Sequence, residues 1–240
     1  MTSAWKAFGA SVRGTSHICA CLPNQDFFII ARHLWGDVIV ASDGLGSRPT
    51  SEYGSKAACR AVVQAAWNWK NMKGDTERLL AQIHKNWLAC VEPFEPQKSM
   101  ATCLFAIRPA EGQIIFGMLG DGLAAVITTD GAYKELVDDK EDSFSNQTDA
   151  LSEKTQTKHW RIASVAQHEC CAVLLCTDGV ADDLLAKKRG DFVRHIYEQG
   201  QQLASVTMAR ELRKMLEGWP VPKHSDDKTL VCLYRRENGK

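Results

Sequence analysis

Residues 41–60 read ASDGLGSRPTSEYGSKAACR, and the apolar run VIVAS (38–42) leads straight into Asp43-Gly44. A carboxylate at the tip of a buried strand has two explanations. It opens a tight turn, since Asp and Gly are both turn formers. Or it supplies an oxygen ligand to a cation at a place where glycine lets the backbone come close. Asp-Gly alone favours the turn, and Asp130-Gly131 between two strand-like runs is read as one. The choice at Asp43 depends on how often the pattern recurs.

It recurs. Asp121-Gly122 follows QIIFGMLG (113–120), and Asp178-Gly179 follows CAVLLCT (171–177). Asp26 stands before FFIIAR (27–32), and Asp226 and Asp227 precede KTLVCLYRR (228–236). Aspartate is depleted in strands and is rarely buried without a partner. If these strands are neighbours, their carboxylates meet at one sheet end and repel one another unless cations neutralise them. An all-oxygen set favours Mg²⁺ or Mn²⁺ over zinc. Two such ions bridged by one carboxylate can activate a water for hydrolysis.

The strand-like runs come in close pairs. DFFIIAR (26–32) and DVIVAS (37–42) are joined by a short turn, as are ATCLFAI (101–107) and QIIFGMLGD (113–121), and LAAVITT (123–129) and AYKELV (132–137). Turns this short imply antiparallel pairing. Helical periodicity covers 50–70, with a face of small residues (Ala57, Ala58, Ala61, Ala65), and 75–91, where Asp75 is placed to cap. A further helical block over 180–217 is expected to break near Gly190 and Gly200. Strands, two helices, strands, helices and a last strand predict an α+β fold, an αββα sandwich of two mostly antiparallel sheets flanked by helix pairs. One domain over 1–240 is expected, with the polar stretch 138–160 as a flap-like excursion.

Totals narrow the function. The chain has 240 residues, with 29 basic against 29 acidic, so no basic excess points to nucleic acid. No apolar run approaches a membrane span, and the N-terminus lacks the apolar core of a secretory signal. Nine cysteines without CxxC spacing, several inside apolar runs, read as reduced thiols of a cytoplasmic protein.

Taken in order, DGLG (43–46), GDG (120–122), CTDG (176–179) and SDDKTLV (225–231) resemble the PP2C-type metal-dependent protein serine/threonine phosphatases. GTSHICACLPNQDFF (14–28) resembles the first motif of a bacterial branch of that family. The resemblance implies the same αββα sandwich and two Mn²⁺ or Mg²⁺ ions. It implies that Asp43 bridges both ions, that Gly44 offers a carbonyl, and that Asp178 and Asp226 ligate the second ion. Thr229 sets the register that favours Asp226 over Asp227, where the family usually has Asn. Asp26 is implied as a ligand or as a neighbour that holds water, and Asp121 with Asp178 as the site of a third ion. Phosphorylated protein substrates and a cognate Ser/Thr kinase are family expectations.

Two departures stand out. Gln25 replaces an acidic residue, and Leu45 replaces the histidine that often follows the Asp-Gly as general acid, so leaving-group protonation must come from water or another donor. The family's phosphate-gripping arginine has no match at its usual spacing. His17 is favoured as the hydrogen-bond donor to phosphate, with Arg13 and Arg48 as alternatives, and His224 stands near Asp226. These departures keep a second class open, a non-catalytic or weakly catalytic binding module on the same fold. A metal hydrolase for other phosphoesters is a third.

Overall fold

The computed structural model describes residues 5–69, 74–136, 149–221 and 224–237. The N-terminal part runs β1 (Trp5–Val12), α1 (Thr15–Cys19), β2 (Phe27–His33), β3 (Gly36–Ser42), α2 (Ser51–Trp67) and α3 (Thr76–Val91). Then come β4 (Cys103–Pro109), β5 (Gln113–Leu119), β6 (Leu123–Thr128) and β7 (Tyr133–Leu136). The C-terminal part runs β8 (Arg161–Ala166), β9 (Cys170–Cys176), α4 (Asp178–Ala181), α5 (Ala186–Gln202), α6 (Ser205–Glu217) and β10 (Lys228–Arg235).

The strands form two five-stranded sheets, β1-β10-β9-β6-β7 and β2-β3-β4-β5-β8, and every pairing in them is antiparallel. Period-two alternation sorts the central strands into two faces. In β3, Ile39 and Ala41 join a core between the sheets, while Val38 and Val40 turn outward to α2 and α3. In β9, Val173 and Leu175 face the other sheet, while Ala172, Leu174 and Cys176 face α5 and α6. Both faces of each central strand are covered, which is why these strands read as unbroken apolar runs. The result is the four-layer αββα sandwich.

Small residues set the helix spacing on one side. Ala57, Ala58, Ala61, Ala65 and Ala66 are fully or almost fully covered, so α2 lies close to its sheet. Trp87 of α3 is fully buried and donates its indole N–H to the Gly54 carbonyl at 3.2 Å. Asp75 caps α3 by accepting the Arg78 amide at 3.0 Å.

Three expectations need correction. The helical block does not break at Gly190 or Gly200; α5 runs through both, and the chain turns at Leu203-Ala204. Two strands, β1 and β8, lie in segments without a strong strand signal. Residues 138–148 of the expected flap lie outside the described residues, but 149–160 is not a surface excursion. Leu151 is fully buried and Trp160 nearly so, both in the core beneath α2 and α3, and Leu151 bridges to Ala101.

Candidate metal centre

Five strand ends bring acidic residues to one end of the sandwich. Asp43 leaves β3, Asp121 follows β5, Asp178 follows β9, and Asp226 and Asp26 lead into β10 and β2. Ser42 and Asp43 are zipped to the segment before β4. The Thr102 amide donates to the Asp43 carbonyl at 2.8 Å, the Ser42 hydroxyl donates to the Thr102 carbonyl at 2.6 Å, and the Asp43 amide donates to Thr102 Oγ1 at 2.9 Å. With its backbone fixed on that side, Asp43 turns its carboxyl into a cleft of about 570 Å³. Gly44, Asp121, Asp178, Asp226 and His17 line the same cleft. Asp26 does not; it is 3% exposed and lies beneath the floor.

Two of the glycines are there for close approach. A Cβ on Gly179 would fall 1.8 Å from the Asp227 carbonyl oxygen, and one on Gly44 would fall 2.5 Å from the Ser51 carbonyl oxygen. Neither has a positive φ, so what requires glycine is the neighbouring backbone and not the turn.

The floor is a hydrogen-bonded link between the two sheets. Thr177 donates its hydroxyl to Asp26 Oδ2 at 2.8 Å and accepts the Thr229 amide at 3.0 Å. Asp227, 1% exposed, accepts the Gly14 amide at 2.7 Å, the Gln25 amide at 2.6 Å and His17 Nδ1 at 2.9 Å. It therefore points under the cleft, while Asp226 is exposed at its edge. A second histidine at the cleft, His224, meets Asp183 at 2.6 Å through Nδ1, and Asp183 also accepts the Trp219 indole N–H at 2.7 Å.

The electrostatics are those of crowded carboxylates. Burial, opposed by the hydrogen bonds that Asp26 accepts, pushes its pKa up to about 7. Burial and then the charges of Asp121, Asp226 and Asp26 push Asp178 to about 8. Asp43 rises well above the usual carboxylate range, from burial first and then from the charges of Asp26 and Asp178. Among the described residues, no three His, Cys, Asp or Glu side chains are already gathered as a metal cage. The donor set is nonetheless suited to hard divalent cations. It is all oxygen, and the buried Asp26 Oδ1 has no hydrogen-bond partner among the described residues. The buried thiols are unsuited to the role: Cys59, Cys103, Cys176 and Cys232 are pushed far up by burial. Cys19 and Cys21 are exposed and free.

Other sequence candidates fall elsewhere. Arg13 donates to the Leu22 carbonyl at 3.0 Å, and neither it nor Arg48 lines the cleft. Leu45 does line it, with no proton to offer. Thr177 and the pairs His17–Asp227 and His224–Asp183 were not singled out from sequence. Only the Thr of CTDG carried a signal, a polar residue at the end of an apolar strand.

The protein phosphatase 2C family model matches residues 13–217. No curated protein sequence matches the chain. Among solved structures, a bacterial serine phosphatase is 15% identical, with 99% of this chain and 100% of that chain covered and a TM-score of 0.68. The catalytic domain of the serine/threonine protein phosphatase PstP, in complex with two manganese ions, is 17% identical (97% and 99% covered, TM-score 0.62). RsbX in complex with magnesium is 15% identical (98% and 96% covered, TM-score 0.62). At these identities the likeness is one of fold. The family match, which takes in four of the five strand-end aspartates, decides the membership: the chain belongs to the protein phosphatase 2C family.

Proposed function

We propose that this chain, acting as one domain, hydrolyses phosphoserine and phosphothreonine on proteins with the help of two Mn²⁺ or Mg²⁺ ions. The observation that carries the reading is the gathering of aspartates from both sheets around one cleft, crowded enough to push Asp43 and Asp178 above the usual carboxylate range. The ions bound in the PstP and RsbX structures agree with it.

Asp43, with the Gly44 carbonyl beside it, would be the ligand shared by the two ions. Asp178 and Asp226, which line the same cleft, would hold the second ion, and Asp121 with Asp178 would hold a third. Asp26, held by Thr177, supports the floor as a ligand or by holding water. Divalent ions held here would supply the activated water and neutralise the phosphoryl oxygens. His17 stands at the rim to hydrogen-bond the phosphoryl group. The open cleft admits a phosphorylated side chain presented from a protein surface. A cytoplasmic setting suits the free thiols, and a Ser/Thr kinase is the expected opposing partner.

The test is hydrolysis of p-nitrophenyl phosphate and a phosphothreonine peptide with Mn²⁺, Mg²⁺ or EDTA, for the wild type, Asp43→Ala and Asp178→Ala. Metal-dependent turnover lost in both variants is expected. Leu45 and Gln25 at the cleft favour one rival, a binding module without turnover. A wild type that binds Mn²⁺ yet turns over neither substrate would establish that rival.

A further inference from the structure

A phosphothreonine side chain leaves as an alkoxide, which needs a proton. Leu45 cannot give one. The geometry of His17 can. Its Nδ1 lies 2.9 Å from Asp227 Oδ2, and both Asp227 oxygens already accept backbone amides, from Gly14 and from Gln25. The contact is therefore an Nδ1–H donating to a carboxylate. The other ring nitrogen, Nε2, is the one left for a ligand in the cleft that His17 lines. Asp227 is 1% exposed and His17 14% exposed, so the pair is sheltered but reachable from the cleft.

We propose that His17, positioned by Asp227, delivers the proton to the ester oxygen that leaves phosphorus. The proposal rests on the phosphatase reading above. As the new P–O bond to water forms, the P–O bond to the serine or threonine oxygen breaks. The Nε2 proton passes to that oxygen and releases a free hydroxyl. The proton shed by the attacking water returns to Nε2, and the phosphate departs with the remaining O–H. A buried carboxylate behind a histidine fixes the tautomer and supports the imidazolium form, the same division of labour that a Ser-His-Asp triad uses. Asp227 is the positioning residue and His17 the catalytic one. His224 is the rival donor, since it too has an Nδ1–carboxylate contact, with Asp183. His17 is preferred because Asp227 also grips Gln25, which adjoins Asp26. The ring is thereby fixed relative to the acidic floor, whereas Asp183 is tied to Trp219 beyond α4.

The experiment compares two leaving groups. p-Nitrophenolate departs without a proton and an alkoxide does not. Values of kcat/KM with Mn²⁺ are measured on p-nitrophenyl phosphate and on a phosphothreonine peptide for the wild type, His17→Gln, Asp227→Asn and His224→Gln. His17→Gln is expected to lose roughly 100-fold or more on the peptide beyond whatever it loses on p-nitrophenyl phosphate, in the range of general acid catalysis. Asp227→Asn, nearly isosteric, should show the same selectivity to a smaller degree. Equal losses on both substrates for His17→Gln would overturn the proposal, because a purely structural role does not distinguish leaving groups. A selective loss in His224→Gln instead would transfer the role and overturn it as well. A wild type inactive on both substrates removes the phosphatase reading itself, and this proposal with it.

Discussion

Asp178→Asn should make the metal-free protein more stable while removing its metal response. In the folded chain burial and neighbouring carboxylates push the Asp178 pKa up to about 8, from an ordinary 3.8. Between those values the folded state keeps a proton that the unfolded chain has lost. The folded state then binds more protons than the unfolded one, so stability falls as pH rises across that window and levels off above it. At a pH near 7.5 the penalty on this one carboxyl is at most about 5 kcal/mol. Asp178 is not fully enclosed, and water in the cleft reduces the penalty, so a gain of ~2 kcal/mol is the expected result. Asparagine is close to isosteric and its Oδ1 can still accept the Gly179 amide, now 2.7 Å from Asp178 Oδ1. For a chain of this length the gain corresponds to about 4–8 °C in Tm. Thermal melts in EDTA at pH 5, 6.5 and 8 would measure it as the difference between variant and wild type. The difference should be small at pH 5 and grow toward pH 8. With saturating Mn²⁺ the wild type should recover stability and the variant should not. A variant less stable than the wild type in EDTA at pH 8, or a difference that does not change with pH, refutes the reasoning.

Three further outcomes are expected. Gly179→Ala puts a methyl 1.8 Å from the Asp227 carbonyl oxygen, and the backbone shift it forces should cost ~3 kcal/mol in a urea melt while also lowering metal-dependent activity. Thr177→Val removes the donor to Asp26 and leaves the Thr229 amide without its acceptor, a loss of about 2 kcal/mol by urea melt, with weaker Mn²⁺ binding by calorimetry. Asp75→Ala removes the cap of α3 far from the cleft, so stability should fall by ~1 kcal/mol with kcat/KM unchanged.

The central strands and their terminal aspartates were legible because the signal is strong and local, an apolar run ending in a residue that strands avoid. The order of those runs was enough to give the sandwich. What failed was the reading of glycine. Gly190 and Gly200 look like helix ends, yet each faces an aromatic ring across a close contact. A Cβ on Gly200 would fall 2.9 Å from Phe8, and one on Gly190 would fall 3.2 Å from Tyr133. Here glycine serves packing, and only the partner element reveals that. β1 was missed for a related reason. WKAFGASV contains Lys, Gly and Ser and gains its strand character from eight register partners on β10, more than 200 positions away. In the site, the acidic residues could be read but the arrangement of the supports could not. Asp226 and Asp227 are adjacent and identical, and only the three donors around Asp227 separate the exposed carboxylate from the buried one.

The hydrogen bond between Gly14 and Asp227 spans 213 positions, and the acidic residues around it come from both sheets. No fragment emerging early in synthesis holds more than part of the set, so the site is completed only when β10 docks between β1 and β9. On the proposed reading, ion capture would report that the whole chain has folded. An unfolded chain offers the ions only scattered single carboxylates. Nearly all of the binding free energy would then accrue to the folded state, and the concentration of divalent ion would become a control on how long the protein survives.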